Sequence, residues 1–214
     1  MNQKINYIIW DWNGTLIDDA WLFVEIMNQE LKVRNLPAIN VEDYRKHFTF
    51  PVKKYYENLG FDFCKESFKE VGYNFIQKFK KRKFEANLFP KTTEILTLVK
   101  NLNIKQSILS AQENTLLNET VKHYQIDSFF EKIMGIQHYY ADNKIEIAKK
   151  LRKTINYQND QICIIGDSSH DFDVAQALGI NCVLFSGGHY SKKRLQKNDC
   201  FIIDAHNELK GLFS

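Results

Sequence analysis

Tyr7-Ile8-Ile9-Trp10-Asp11-Trp12-Asn13-Gly14-Thr15 is the stretch on which the fold turns. From Ile5 to Trp10 the chain is continuously apolar rather than alternating, the pattern of a parallel strand buried on both faces. Asp-Trp-Asn-Gly-Thr then reads as a turn. The same grammar returns after Pro90, where helices and strands alternate. Thr92–Asn101 reads as a helix, Gln106–Leu109 as a strand ending at Ser110-Ala111, and 113–123 as a helix. Lys132–Ile136 reads as a weak strand and Lys144–Ile155 as a helix. Gln161–Ile165 reads as a strong strand ending in Gly166-Asp167, and Phe172–Leu178 as a helix stopped by Gly179. Asn181–Phe185 is a further strand and Cys200–Ile203 an edge strand. Strands alternating with helices predict an α/β protein with a parallel sheet and right-handed crossovers.

Between these parts, from Asp18 to about Asn87, no strand pattern appears. A helix begins near Trp21 and runs to the Asn35-Leu36-Pro37 break; 41–48 and 51–59 read as two short helices divided at Phe50-Pro51. A longer helix carries Phe68, Val71, Phe75, Ile76 and Phe79 on one face. The segment predicts a helical bundle inserted after the first strand, with core residues 1–17 and 88–214 and inserted residues 18–87.

Composition narrows the function. A formal charge of +3 over 214 residues shows no concentrated basic face of the nucleic-acid-binding kind. The basic run Lys78 to Lys83 lies within a helical pattern and reads as a solvated face. Cys64, Cys163, Cys182 and Cys200 form no CxxC pair and read as small buried hydrophobes in a reducing cytoplasm. The N-terminal apolar run is too short for a signal peptide, and no stretch is long enough to span a membrane.

Ligands of an open parallel sheet bind beyond the carboxyl ends of its strands. The polar residues at those ends are Asp11 and Asn13, Ser110, and Asp167 with Asp171; Lys144 opens the helix that feeds the Asp167 strand. Two or three carboxylates can hold Mg²⁺ through oxygen, and one can attack phosphorus. A serine hydroxyl and a lysine ammonium can hold phosphoryl oxygens. Singly, each residue has a plainer role: a turn former, a helix cap, a solvated lysine, a helix-start charge. Their joint position at successive strand ends favours phosphoryl transfer.

The motifs resemble those of the haloacid dehalogenase superfamily. Asp11-Trp12-Asn13-Gly14-Thr15-Leu16-Ile17-Asp18 looks like its first motif, Ile108-Leu109-Ser110-Ala111 its second, Lys144 its third, and Ile164-Ile165-Gly166-Asp167-Ser168-Ser169-His170-Asp171 its fourth. Phe48-Thr49-Phe50-Pro51 with Tyr55-Tyr56 and Leu59-Gly60 resembles the helical cap of the phosphoglycolate phosphatase and β-phosphoglucomutase branch. The resemblance implies a three-layer Rossmann-like core with a cap. It implies a Mg²⁺-dependent phosphatase with Asp11 as nucleophile and metal ligand, forming an aspartyl phosphate. Ser110, Ala111 and Lys144 would bind the phosphoryl group, the backbone carbonyl of residue 13 and Asp167 would ligate Mg²⁺, and Asp171 would do so directly or through water. The implied partner is a small phosphorylated metabolite, with no nucleic acid and no membrane, and the expected state is a cytoplasmic monomer or homodimer.

Asn13 departs from that pattern, since phosphatases of the family carry an aspartate there that protonates the leaving group. Acid–base help is worth about 10²–10⁴-fold, so the expectation is weakened or specialised activity, and Asn13→Asp is expected to speed hydrolysis of a generic monoester. His170 is the candidate substitute. The alternative is a relative that binds phospho-ligands or a protein without efficient turnover.

Overall fold

β1 (Tyr7–Trp10) is buried along its whole length because a parallel strand joins it on either side. In the computed structural model, which describes residues 4–137 and 144–212, β2 (Ile17–Asp18) follows the first turn. Four helices come next: α1 (Ala20–Val33), α2 (Val41–His47), α3 (Val52–Asn58) and α4 (Phe68–Arg82). β3 (Asn87–Leu88) then pairs antiparallel with β2, Ile17 opposite Leu88 and Asp18 opposite Asn87. The rest alternates: α5 (Thr92–Asn101), β4 (Lys105–Glu113), α6 (Asn114–His123), β5 (Lys132–Ile136), α7 (Lys144–Arg152), β6 (Ile162–Gly166), α8 (Ser169–Leu178), β7 (Asn181–Phe185), α9 (Lys192–Leu195) and β8 (Phe201–Ile203).

The main sheet has six strands in the order β5-β4-β1-β6-β7-β8, every neighbouring pair parallel. Its two faces bury different halves of each strand. Ile9, Leu109, Ile164 and Leu184 share one apolar cluster; Ile8, Trp10, Ile108, Ile165 and Val183 share the other. Trp10 stands opposite Ile108 on one side and Ile165 on the other, so the residues that follow β1 and β6 emerge at the same end. The chain winds outward from β1 to β5, then returns to β6 and continues the other way. That reversal leaves a crevice at the carboxyl end of β1.

The inserted helices form for local reasons. Ser67 Oγ accepts the Glu70 N–H at 3.0 Å to start α4. Val71, Phe75 and Phe79 then bury one stripe, and Lys80, Lys81 and Arg82 sit where the helix dipole favours cations. Phe79 and Phe75 meet Phe23 of α1 at ring-centroid distances of 5.1 and 5.5 Å. The basic face of α4 is not simply solvated: Lys78 pairs with Glu30, Arg82 with Glu25 and Glu85, and Lys83 with Glu119.

Several boundaries differ from the sequence reading. The β2–β3 ribbon is too short to display a period and was not expected. β4 runs on through Ser110 to Glu113, with a register shift after Leu109 that lets a polar stretch continue beside β5. α7 ends at Arg152 rather than 155. α8 begins three residues early because Ser168 and Asp171 form a reciprocal capping box. All four cysteines are free, and among the described residues no helix is long and apolar enough to cross a membrane.

Candidate active site

Asp11 leaves β1 with its backbone N–H bonded to Ile165 O at 2.8 Å, which aims the chain into the crevice. Asp167 leaves β6, and Asp171 lies one helical turn into α8. Carboxylate oxygens of these three buried residues lie within 4.8 Å of one another. Lys144, at the start of α7, reaches the same point. Its Nζ stands 2.5 Å from Asp11 Oδ1 and 2.6 Å from Asp171 Oδ1, with only 3 % of the side chain exposed. The lysine is therefore buried, not solvent-facing as an isolated helix-start lysine would be.

Each carboxylate is held by specific donors. Asp171 Oδ2 accepts from Ser168 Oγ at 2.7 Å and from the backbone N–H groups of Ser168 and Asp167 at 3.1 and 3.2 Å. Asp167 accepts from Thr15 Oγ1 at 3.3 Å and from the His189 backbone N–H at 2.5 Å. Two glycines make room for it. A Cβ on Gly14 would stand 2.5 Å from Asp167 Oδ2, and one on Gly188 2.3 Å from the same oxygen. Gly14 also adopts φ +72°, a conformation that other residues seldom take.

The charges are unevenly balanced. Burial pushes the Asp11 carboxyl well above the ordinary range; Lys144 opposes this, while Asp171 and Asp167 add to it. Burial raises Asp167 to about 6, against the pull of His189. Burial works the same way on Asp171, but Lys144 and Ser168 outweigh it and hold that carboxyl low. Burial disfavours the Lys144 ammonium, yet Asp11 and Asp171 keep it charged. Three carboxylates thus face one ammonium, and burial disfavours the charged form of two of them, Asp11 and Asp167. An all-oxygen donor set with a deficit of positive charge fits a hard divalent cation such as Mg²⁺.

Ser110 is buried in β4, and its Oγ accepts the Gln112 N–H at 3.1 Å. Ala111 follows it, half-buried. The Asn13 side chain engages a fourth carboxylate: its Nδ2 donates to Asp19 Oδ2 at 2.5 Å. His170 is half-buried with its ring 4.9 Å from Phe50, rather than solvent-facing.

Sequence reading missed Asp19, His189, Thr15 and Tyr44. His189 follows the Gly187-Gly188 pair beyond β7, and a glycine pair after a buried strand is the signal that could have drawn attention to it. Its Nε2–H donates to Asp19 Oδ1 at 3.2 Å, and its Nδ1 lies 2.8 Å from the Tyr44 hydroxyl of α2. Burial disfavours the imidazolium, but Asp19 raises the pKa above the usual histidine value. The helices close over this corner. Arg45 donates to the carbonyls of Gly188 and Gly187 at 2.7 and 2.6 Å, and Arg194 donates to Phe48 O at 2.5 Å. Phe48 and Phe50 pack ring to ring, Phe48 also against Tyr55.

A parallel sheet with a helical insertion after its first strand, and an aspartate at the end of that strand beside a lysine and two further aspartates, defines a hydrolase of the α/β class. The chain belongs to the haloacid dehalogenase-like hydrolases, matching that family over residues 8–185. It is similar to a protein of Caldanaerobacter subterraneus subsp. tengcongensis that bears the provisional name pyrophosphatase PpaX, with 20 % identity over 97 % of this chain and 94 % of that one. Among solved structures, it resembles a haloacid dehalogenase-like family hydrolase of Streptococcus pneumoniae, with TM-score 0.84 and 20 % identity, covering 98 % of this chain and 99 % of the other. It also resembles protein tyrosine kinase A of Mycobacterium tuberculosis, with TM-score 0.82 and 19 % identity over the whole of both chains. At such identities the two structures speak for the fold alone.

Proposed function

We propose that this hydrolase is a Mg²⁺-dependent phosphatase that forms an aspartyl phosphate on Asp11 and favours substrates whose leaving group needs no proton. The observation that carries the reading is the Lys144 ammonium lying within 2.5 and 2.6 Å of Asp11 and Asp171 in a buried site. Lys144 holds Oδ1 of Asp11, which leaves Oδ2 to attack phosphorus. As the Oδ2–P bond forms, the bond from phosphorus to the leaving oxygen breaks. Water then attacks the same phosphorus, its proton passes to a phosphoryl oxygen, the Oδ2–P bond breaks, and the carboxylate returns as inorganic phosphate is released. Lys144 and the Ser110 hydroxyl, with the Ala111 backbone, hold the phosphoryl oxygens. Asp11, Asp167, Asp171 and the Asn13 carbonyl would hold Mg²⁺, which supplies charge neutralisation for the phosphoryl group.

Asn13 cannot give or take a proton usefully, so a phosphoanhydride suits the site better than an alkyl monoester. The name of the Caldanaerobacter relative is consistent with that preference. We assign residues 18–87 to a cap and the remainder to the core, an assignment supported by the Ile17–Leu88 and Asp18–Asn87 pairing where the chain leaves and returns. Closure over the site would exclude water and select the substrate. The test is phosphate release from pyrophosphate, p-nitrophenyl phosphate and phosphoglycolate, with Mg²⁺ and with chelator, for the parent and Asp11→Asn. Release that requires Mg²⁺ and vanishes in the variant is expected. No release from any substrate, or release that survives Asp11→Asn, would refute the reading and favour a ligand-binding relative.

A further inference from the structure

Asp19 is fully buried and acts only as an acceptor. Its Oδ1 takes the Gly14 backbone N–H at 3.0 Å and the His189 Nε2–H at 3.2 Å; its Oδ2 takes the Asn13 amide at 2.5 Å. Two donors from the turn after β1 and one from beyond β7 converge on one carboxylate. His189 is in turn confined by the Phe23 and Tyr44 rings, at 4.9 and 5.6 Å, and by the Tyr44 hydroxyl. The corner is closely packed around His189, which leaves little room there to relieve a misfit.

We propose that Asp19, steadied by His189, is a positioning residue for residue 13: it holds the Asn13 amide by its nitrogen and excludes a carboxylate from that position. Asn13 spends Nδ2 on Asp19, so Oδ1 is its remaining acceptor. It can orient a water or a substrate hydroxyl without taking the proton. An aspartate at 13 would set one carboxylate oxygen against another at hydrogen-bond distance, in a place where like charges are poorly screened. The gain that the sequence alone leads one to expect from Asn13→Asp is therefore blocked by Asp19. Exchanging both residues removes the conflict. An asparagine at 19 keeps an acceptor for Gly14 and His189 and gives its amide to the new carboxylate, reversing the original bond.

Asn13→Asp, Asp19→Asn and the double exchange are compared with the parent in two ways. The first is thermal unfolding, which does not depend on the phosphatase reading. Each single change is expected to lower the melting temperature by more than about 2 °C, and the double exchange to recover most of the summed loss. Losses that simply add would overturn the proposal. The second is the kcat, KM and pH profile for an alkyl phosphomonoester, phosphoglycolate, with Mg²⁺, which rests on that reading. Asn13→Asp alone should give no gain in kcat. The double exchange should raise kcat by at least about tenfold, toward the range of acid–base help, with little change in KM and a new acidic limb in the pH profile. A single Asn13→Asp variant as stable as the parent and as active as the double would overturn positioning by Asp19. If none of the four proteins releases phosphate from this monoester, p-nitrophenyl phosphate or pyrophosphate, the phosphatase reading fails while the melting data still decide the role of Asp19.

Discussion

Replacing Lys144 by methionine tests the charge balance of the site most directly. The side chain keeps its length and apolar stem but loses the ammonium that neutralises two buried carboxylates at 2.5 and 2.6 Å. Removing one partner of a buried ion pair costs about 3–5 kcal/mol. The lower end applies here, because the Asp11 carboxyl is already pushed upward by burial and can take a proton, and Asp171 keeps its bonds from Ser168. About 3 kcal/mol corresponds to a fall of about 6–12 °C in melting temperature for a chain of this size. The pH dependence has a definite sign. Without the ammonium the Asp11 carboxyl pKa rises further above its unfolded value, and Asp171 loses the main group that holds its own pKa low. The folded state then binds more protons than the unfolded state as pH falls, so the deficit is greatest at neutral pH and shrinks toward acid. Added Mg²⁺ should return part of the loss by restoring positive charge. Urea and thermal unfolding at several pH values, with Mg²⁺ or chelator, measure all of this. A variant within about 1 kcal/mol of the parent at neutral pH, a range typical of surface substitutions, or a deficit independent of pH, would show that Lys144 does not balance these carboxylates.

Two further outcomes concern other parts of the molecule. His206 is buried against Phe185 at 4.6 Å, and burial lowers its pKa to about 4. The unfolded state thus binds a proton that the folded state refuses, and stability is lost as pH falls from about 6.5 to 4, by up to about 3 kcal/mol; His206→Asn should flatten that slope in pH-dependent melts, and an unchanged slope would dismiss the assignment. Arg194 holds Phe48 O and Arg45 O at 2.5 and 3.1 Å and lies 3.5 Å from the Tyr190 ring centroid. Arg194→Leu should cost about 1–2 kcal/mol, discounted for partial exposure, and speed amide exchange in α2 and α3; unaltered exchange there would mean the contact does not restrain the helices.

Much of the architecture was legible because burial on both faces leaves a plain mark. Ile8-Ile9-Trp10 and Ile162 to Ile165 are continuously apolar, and both are central strands. The β2–β3 ribbon was not legible, since two residues per strand carry no period. The continuation of β4 was hidden because Ser110, Ala111, Gln112 and Glu113 look like the start of a loop and helix; Glu113 does cap α6, accepting from Thr115 and Leu116, while still pairing with Ile136. Ser168 and Asp171 illustrate a further difficulty. Their spacing reads as site chemistry, yet the same two residues also cap α8. One pattern served two purposes, and the helix start was placed late as a result.

The candidate site divides along a similar line. Asp11, Asp167, Asp171 and Lys144 could be gathered from the sequence because each stands at a strand end or at the opening of a helix, and topology alone brings such positions together. Asp19 and His189 lie 170 residues apart and meet through side chains, which no local pattern encodes. Yet the second group controls how the first can be read. Asn13 viewed alone is a lost aspartate; viewed with Asp19 it is the donor that a buried carboxylate requires. Gathering the buried side chains of Asp11, Asp167, Asp171, Lys144, Asp19 and His189 is costly, because buried ion pairs repay their desolvation poorly. Apolar residues could fill the same crevice more stably, which accords with the proposed role of the cluster in binding rather than in folding. A divalent cation held there, as proposed, would relieve the deficit of positive charge around Asp11 and Asp167, and its binding would then be coupled to folding stability.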